Sequence, residues 1–203
     1  CSASSKNAPP LGHTAGRKIH DGEHPGVSGV FVANGWHRWQ TEPMTPTQTI
    51  TALHRADSVA RRAMAMGRHP FGAVLVAPDG DTVLAEQGNI DTVNHAESTL
   101  ARNAAANYPG AYLAQCTLVT TFEPCAMCAG TVYWAGIGRV VYGAEETALL
   151  ALTGDHPENP TLSLPCRDVF ARGQRPVEVV GPVPEVAQDM VATHKGFWDT
   201  RGR

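Results

Sequence analysis

The stretch CTLVTTFEPCAMCAGTVYWA, residues 116–135, passes from a β-branched apolar run through a Glu-Pro turn into a segment that starts with two cysteines three positions apart. Its first part reads as a strand, and the part from Cys125 onward reads as a helix. A strand leading directly into a helix calls for a second strand on the far side, and RVVYGA at 139–144 supplies it. Such a unit is the crossover of a parallel strand pair.

Upstream, FGAVLVA (71–77) and TVLAEQG (82–88) flank PDGD, a turn sequence, and predict an antiparallel hairpin. TPTQTITALHRADSVARRAMAMG (45–67) has apolar residues at helical spacing and stops at a glycine, and HAESTLARNAAANY (95–108) reads as a second helix. PVEVV (176–180) reads as a fifth strand and PEVAQDMVATHKGFW (184–198) as a closing helix. The expectation is a three-layer α/β/α domain over residues 45–203, built on a mixed sheet of about five strands. Residues 1–44, rich in Gly, Pro and His, read as a loop-rich extension whose Trp36 and Trp39 pin its end.

Composition narrows the function classes. The chain of 203 residues is 42% hydrophobic and 17% charged, which describes a globular protein, and no apolar run approaches the roughly 20 residues of a membrane span. A formal charge of -3 offers no broad attraction to a polyanion. The five cysteines, at 1, 116, 125, 128 and 166, are odd in number and irregular in spacing, so a disulfide framework is not expected. The start Cys1-Ser2-Ala3-Ser4 resembles that of a processed bacterial lipoprotein, but trimming would leave the same start; a cytoplasmic location is the expectation and a lipid anchor the alternative.

Three uses compete for Cys125 and Cys128: a structural zinc knuckle, a reversible dithiol, and a metal site that does chemistry. Their place at a helix start favours thiolate in every case. The segment NHAEST (94–99) separates them, because His95 and Glu97 lie at another predicted helix start after a strand. His95 would complete a three-ligand zinc site with the fourth tetrahedral position open, and Glu97 would stand beside that position as a proton carrier. The competing reading of Asn94 and Glu97 is a capping box.

HAE at 95–97 followed by EPCAMCAG at 123–130, together with PFGAVLV at 70–76 and IGRVVYGA at 137–144, is similar to the cytidine deaminase-like zinc hydrolases, with their H-x-E and P-C-x-x-C signatures. The resemblance runs from about Thr45 to the last helix. It implies zinc held by His95, Cys125 and Cys128, and a hydrolytic deamination in which Glu97 shuttles the proton of the activated water. Within the superfamily the chain resembles guanine deaminases, through Pro70-Phe71-Gly72-Ala73 and Tyr133-Trp134-Ala135, and bacterial tRNA adenosine deaminases. A free nucleobase or nucleoside, with a guanine-type purine favoured, is the expected substrate, and adenosine in tRNA is the alternative. Phe71 and Trp134 are expected to sandwich the base.

Two features depart from the family pattern. An acidic residue usual in the guanine branch soon after the fourth strand falls on Ala148, and the loop before His95 is short. Asn89 is the candidate for the base-contacting amide, with a turn or cap as its competing role. The resemblance also implies a homodimer to which HKGFW (194–198) contributes, and Phe197 and Trp198 read as core anchors or as aromatics closing the site. Cys116 reads as a buried core residue and Cys166 as a loop residue. Glu145 and Glu146 read as solvated helix-start residues, and His13, His20 and His24 receive no role.

Overall fold

A computed structural model describes residues 42–200; the expectations for Cys1, Trp36, Trp39 and the three N-terminal histidines lie outside them. Helix α1 (Pro46–Ala65) opens at Thr45, whose hydroxyl accepts from the Gln48 N–H while the Gln48 side chain accepts from the Thr45 N–H. This capping box, with Pro46 at the first helical position, sets the start of the helix. Strands β1 (Gly72–Val76) and β2 (Val83–Gly88) form the hairpin.

Helix α2 (Ala96–Asn107) and the short α3 (Gly110–Leu113) lead to β3 (Thr117–Phe122), then α4 (Ala126–Ala135) and β4 (Arg139–Ala144). Helices α5 (Glu146–Thr153) and α6 (Cys166–Ala171), β5 (Glu178–Val180) and α7 (Pro184–His194) follow, and a single 3-10 turn covers Trp198–Thr200. The strands lie in the order β2-β1-β3-β4-β5. β1 is antiparallel to both neighbours, whereas β3, β4 and β5 run parallel.

Because successive strand residues point to opposite faces, the buried strands β1, β3 and β4 feed two cores at once. Ala73, Leu75, Leu118 and Val140 pack under α2, α4 and α6. Val74, Val76, Val119 and Val141 pack under α1 and α7. Gly72 permits the close seating of α1, since a Cβ there would stand 2.3 Å from the Ala56 carbonyl oxygen and 2.5 Å from the Ala60 nitrogen. No helix among the described residues is long and apolar enough to cross a membrane.

Cys166 departs from its expected loop position. It is the first residue of α6, fully buried, and its N–H donates to Glu123 Oε1 at 3.0 Å.

Candidate active site

The site lies at the carboxyl edge of the parallel strands, where the chain turns from β3 into α4 and, through the loop after β2, into α2. Asp91 shapes that loop: Oδ1 accepts from the Val93 and Asn94 N–H groups at 2.8 and 2.7 Å, and Oδ2 accepts from Asn94 Nδ2 at 2.9 Å. These bonds, led by the Asn94 N–H, pull the Asp91 carboxyl down to about 2. With Asn94 held in this turn, the N-cap of α2 passes to His95, which makes no side-chain capping bond. Cys125 occupies the same position on α4, also without one.

His95 Nε2 lies 3.1 Å from the Thr92 carbonyl oxygen and donates to it, which leaves Nδ1 as a lone-pair donor. Nδ1 is 3.7 Å from Cys125 Sγ and 3.6 Å from Cys128 Sγ. All three ligand atoms fall within 4.8 Å of one another. A tetrahedral zinc, with Zn–N near 2.05 Å and Zn–S near 2.3 Å, requires N···S edges of roughly 3.6 Å. The donor set fits zinc in both chemistry and spacing.

Electrostatics agree. The Cys128 thiol beside it, and then the His95 ring, bring Cys125 down to about 4, while that neighbouring thiolate and burial drive Cys128 upward. His95 rises to about 9, chiefly through its contact with Cys125. These opposed shifts share one cause, three groups that compete for protons around the position a divalent cation would take.

Glu97 is the second residue of α2 and is 5% exposed. The capping-box reading does not describe it. Its Oε1 accepts from Thr120 Oγ1 on β3 at 2.8 Å, and its Oε2 lies 3.6 Å from Cys128 Sγ. Burial raises its pKa.

The cavity above these residues has a volume of about 470 Å³. Phe71 and Phe122 line it beside the ligands, Glu146 enters from the first turn of α5, and the segment 157–162 closes it from above. Sequence reasoning missed Glu146, His69 and this covering segment. Glu146 is half-buried where a solvated residue was expected, and burial and then the nearby Cys125 and Glu123 raise its carboxyl to about 7. Ala148, where an ungapped count places the acidic position, faces a different groove, between α5 and α7.

Trp134 requires a correction. It is 86% exposed and does not line the cavity. Nine residues separate it from Cys125 on α4, so it sits about 14 Å further along the helix axis. Asn89 lies beside Phe71, whose carbonyl accepts its N–H at 3.0 Å. Its Nδ2 donates to the Asp91 carbonyl at 2.9 Å, the turn role that competed with base contact, and Asn89 is not among the residues that line the cavity. Phe197 and Trp198 do not line the cavity; the Trp198 ring, 5% exposed, packs 4.9 Å from His69.

A family model for the cytidine and deoxycytidylate deaminase zinc-binding region matches residues 46–144. A probable cytosine deaminase of Schizosaccharomyces pombe is 37% identical over 154 residues, which cover 74% of this chain and 92% of that protein. The chain belongs to the cytidine and deoxycytidylate deaminase family. This deaminase is also 41% identical to the guanine deaminase of Bacillus subtilis over 102 residues, 48% of this chain and 65% of that one. The solved structure of a guanine deaminase from Nitrosomonas europaea shares its fold, with a TM-score of 0.57 and 21% identity across 77% of this chain and 86% of that one. Membership selects a zinc hydrolase over the dithiol and structural-zinc readings, and the deaminase is a zinc-dependent enzyme acting on a nucleobase-type substrate.

Proposed function

We propose that the protein hydrolytically deaminates a free amino-bearing nucleobase, guanine-type purines being favoured. The observation that carries this reading is the charge of the cavity. Glu97, Glu123 and Glu146 line its floor and wall, Glu158 is paired with His69 in its ceiling, and among the described lining residues there is no Lys or Arg. A phosphate entering such a cavity meets carboxylates and no Lys or Arg side chain beside the metal site, which disfavours nucleotides. A neutral ring with N–H donors suits it, because every carboxyl group offers acceptor oxygen. Guanine offers a donor-rich edge to these acceptors.

Zinc bound to His95, Cys125 and Cys128 supplies Lewis-acid acidification of a water. Glu97 carries the proton. Its Oε1 is held by Thr120, so Oε2, on the side of the ligands, is the oxygen free to accept the water's proton and pass it to the ring nitrogen. Water adds at the amine-bearing carbon, and ammonia leaves as the carbonyl forms. Phe71 provides an aromatic wall for the ring.

Cytosine is the second reading, carried by the identity to the S. pombe protein. Ammonia release from guanine, cytosine, adenine, their nucleosides and a tRNA anticodon stem-loop tests the proposal. Turnover of a free base at least tenfold above its nucleoside is expected, and activity confined to the RNA overturns it.

The homodimer is proposed through α4. Its sequence AMCAGTVYWA contains no charged residue, yet Met127 is 37% and Trp134 86% exposed, and the space around Gly130 is open. A helix apolar around its whole circumference is a buried helix, and a second copy of this chain would bury it.

A further inference from the structure

The segment between α5 and α6 has no share in the chemistry, yet it forms the ceiling of the cavity. It is internally braced. Glu158 N–H donates to His156 Nδ1 at 3.2 Å, Asn159 N–H donates to the His156 carbonyl at 2.9 Å, and Asn159 Nδ2 lies 3.2 Å from both Thr153 Oγ1 and Thr161 Oγ1. Its attachment to the body of the domain runs through a second set of contacts. Glu158 Oε2 meets His69 Nε2 at 3.1 Å, with the His69 side chain 9% exposed and that of Glu158 39% exposed. The His156 ring meets Trp198 edge-on at 5.3 Å.

His69 is itself immobilised. It abuts Phe71 at 6.5 Å and Trp198 at 4.9 Å, and Trp198 Nε1 lies 3.3 Å from His194 Nδ1, on the last residue of α7. The ceiling therefore rests on an aromatic bracket made from the start of β1 and the end of the chain. Its position relative to the floor determines how much of a substrate the cavity accepts. Floor residues Glu97 and Cys125 and ceiling residues Pro157 to Leu162 face one cavity, so a substituent carried by the ring has to pass the ceiling segment.

We propose that the segment 157–162 selects a bare base over its ribosylated form, and that Glu158, clamped by His69, is the positioning residue that sets this discrimination. The inference rests on the free-base reading for its substrate and on contacts independent of that reading for its mechanism. Nothing covalent is involved. The Glu158 carboxylate holds the ceiling at a height that admits a planar ring, and releasing it raises that height.

The test uses the zinc-loaded full chain and the variants Glu158→Ala and Glu158→Gln. Glutamine keeps an acceptor oxygen for the His69 N–H, whereas alanine removes it. For guanine and guanosine, Glu158→Ala is expected to raise the KM of the base at least fivefold with kcat within threefold. The base-to-nucleoside ratio of kcat/KM should fall at least tenfold, and Glu158→Gln should restore most of both. Amide hydrogen exchange across 154–165 should accelerate at least tenfold in Glu158→Ala and not in Glu158→Gln. Unaltered discrimination with unaltered exchange in a folded alanine variant overturns the clamp, as does a glutamine variant as impaired as alanine. If the unsubstituted enzyme deaminates no free base, the free-base reading fails, and the exchange measurement alone then decides the clamp.

Discussion

Replacing Glu97 with glutamine separates chemistry from architecture at one atom pair. Glu97 is buried, with Oε1 bonded to Thr120 at 2.8 Å and Oε2 beside the ligand sulfurs. Glutamine is isosteric, and its Oε1 accepts from Thr120 as the carboxylate does, so the link between α2 and β3 persists. Burial raises the Glu97 pKa above that of an unfolded chain, so above the unfolded value the carboxylate weakens the fold. An uncharged amide removes that penalty, and the metal-free variant should melt no lower than the parent at neutral pH. Turnover behaves differently, because an amide accepts no proton at neutral pH. General acid–base work contributes about 100- to 10,000-fold, so at roughly 1.36 kcal/mol per tenfold the barrier should rise by about 2.7–5.4 kcal/mol. Steady-state ammonia release, bound zinc and thermal midpoint are read on one sample. Near-normal turnover in a folded, metallated variant refutes the proton-carrier role, and loss of zinc together with activity makes Glu97 a ligand instead.

Elemental analysis of the purified protein should find one zinc per chain, falling well below one in Cys128→Ser, since His95, Cys125 and Cys128 are the one such cluster among the described residues; full occupancy in that variant refutes the ligand set. Gly72→Ala should destabilise the fold by about 3 kcal/mol and lower the midpoint by roughly 6–12 °C, because the new Cβ meets the α1 backbone and no flexible side chain; an unchanged midpoint would mean α1 slides freely on the sheet. Sedimentation at micromolar concentration should show a dimer that Trp134→Glu shifts toward monomer, and a monomeric parent protein removes α4 as an interface.

The scaffold was legible because its signals are redundant. The hairpin carries both alternation and a PDGD turn, and β3 and β4 carry apolar runs that only a sheet covered on both faces can use. His95, Cys125 and Cys128 were legible because few arrangements besides a metal centre call for those residue types at that spacing. What sequence could not show was phase and cover. Counting residues past β4 lands on Ala148, but α5 starts at Glu146, and two residues turn a helix by about 200°, so only the earlier position faces the cavity. Asn94 matched a capping box, but Asp91 claims it for a turn and moves the cap by one residue. Trp134 had the right residue type and lay too far down α4. The ceiling at 157–162 has neither helical nor strand periodicity, and its role arises from partners 89 and 42 residues away, His69 for Glu158 and Trp198 for His156.

The division of the three donors between two crossovers also gives the centre a mechanical role. His95 arrives with the connection from β2 to β3, and the two cysteines arrive with the connection from β3 to β4. The two connections flank β3, which lies between β1 and β4. An ion held by all three donors would therefore staple the two crossovers together over the centre of the sheet, and its binding free energy would add to the stability of the fold as a cross-link does.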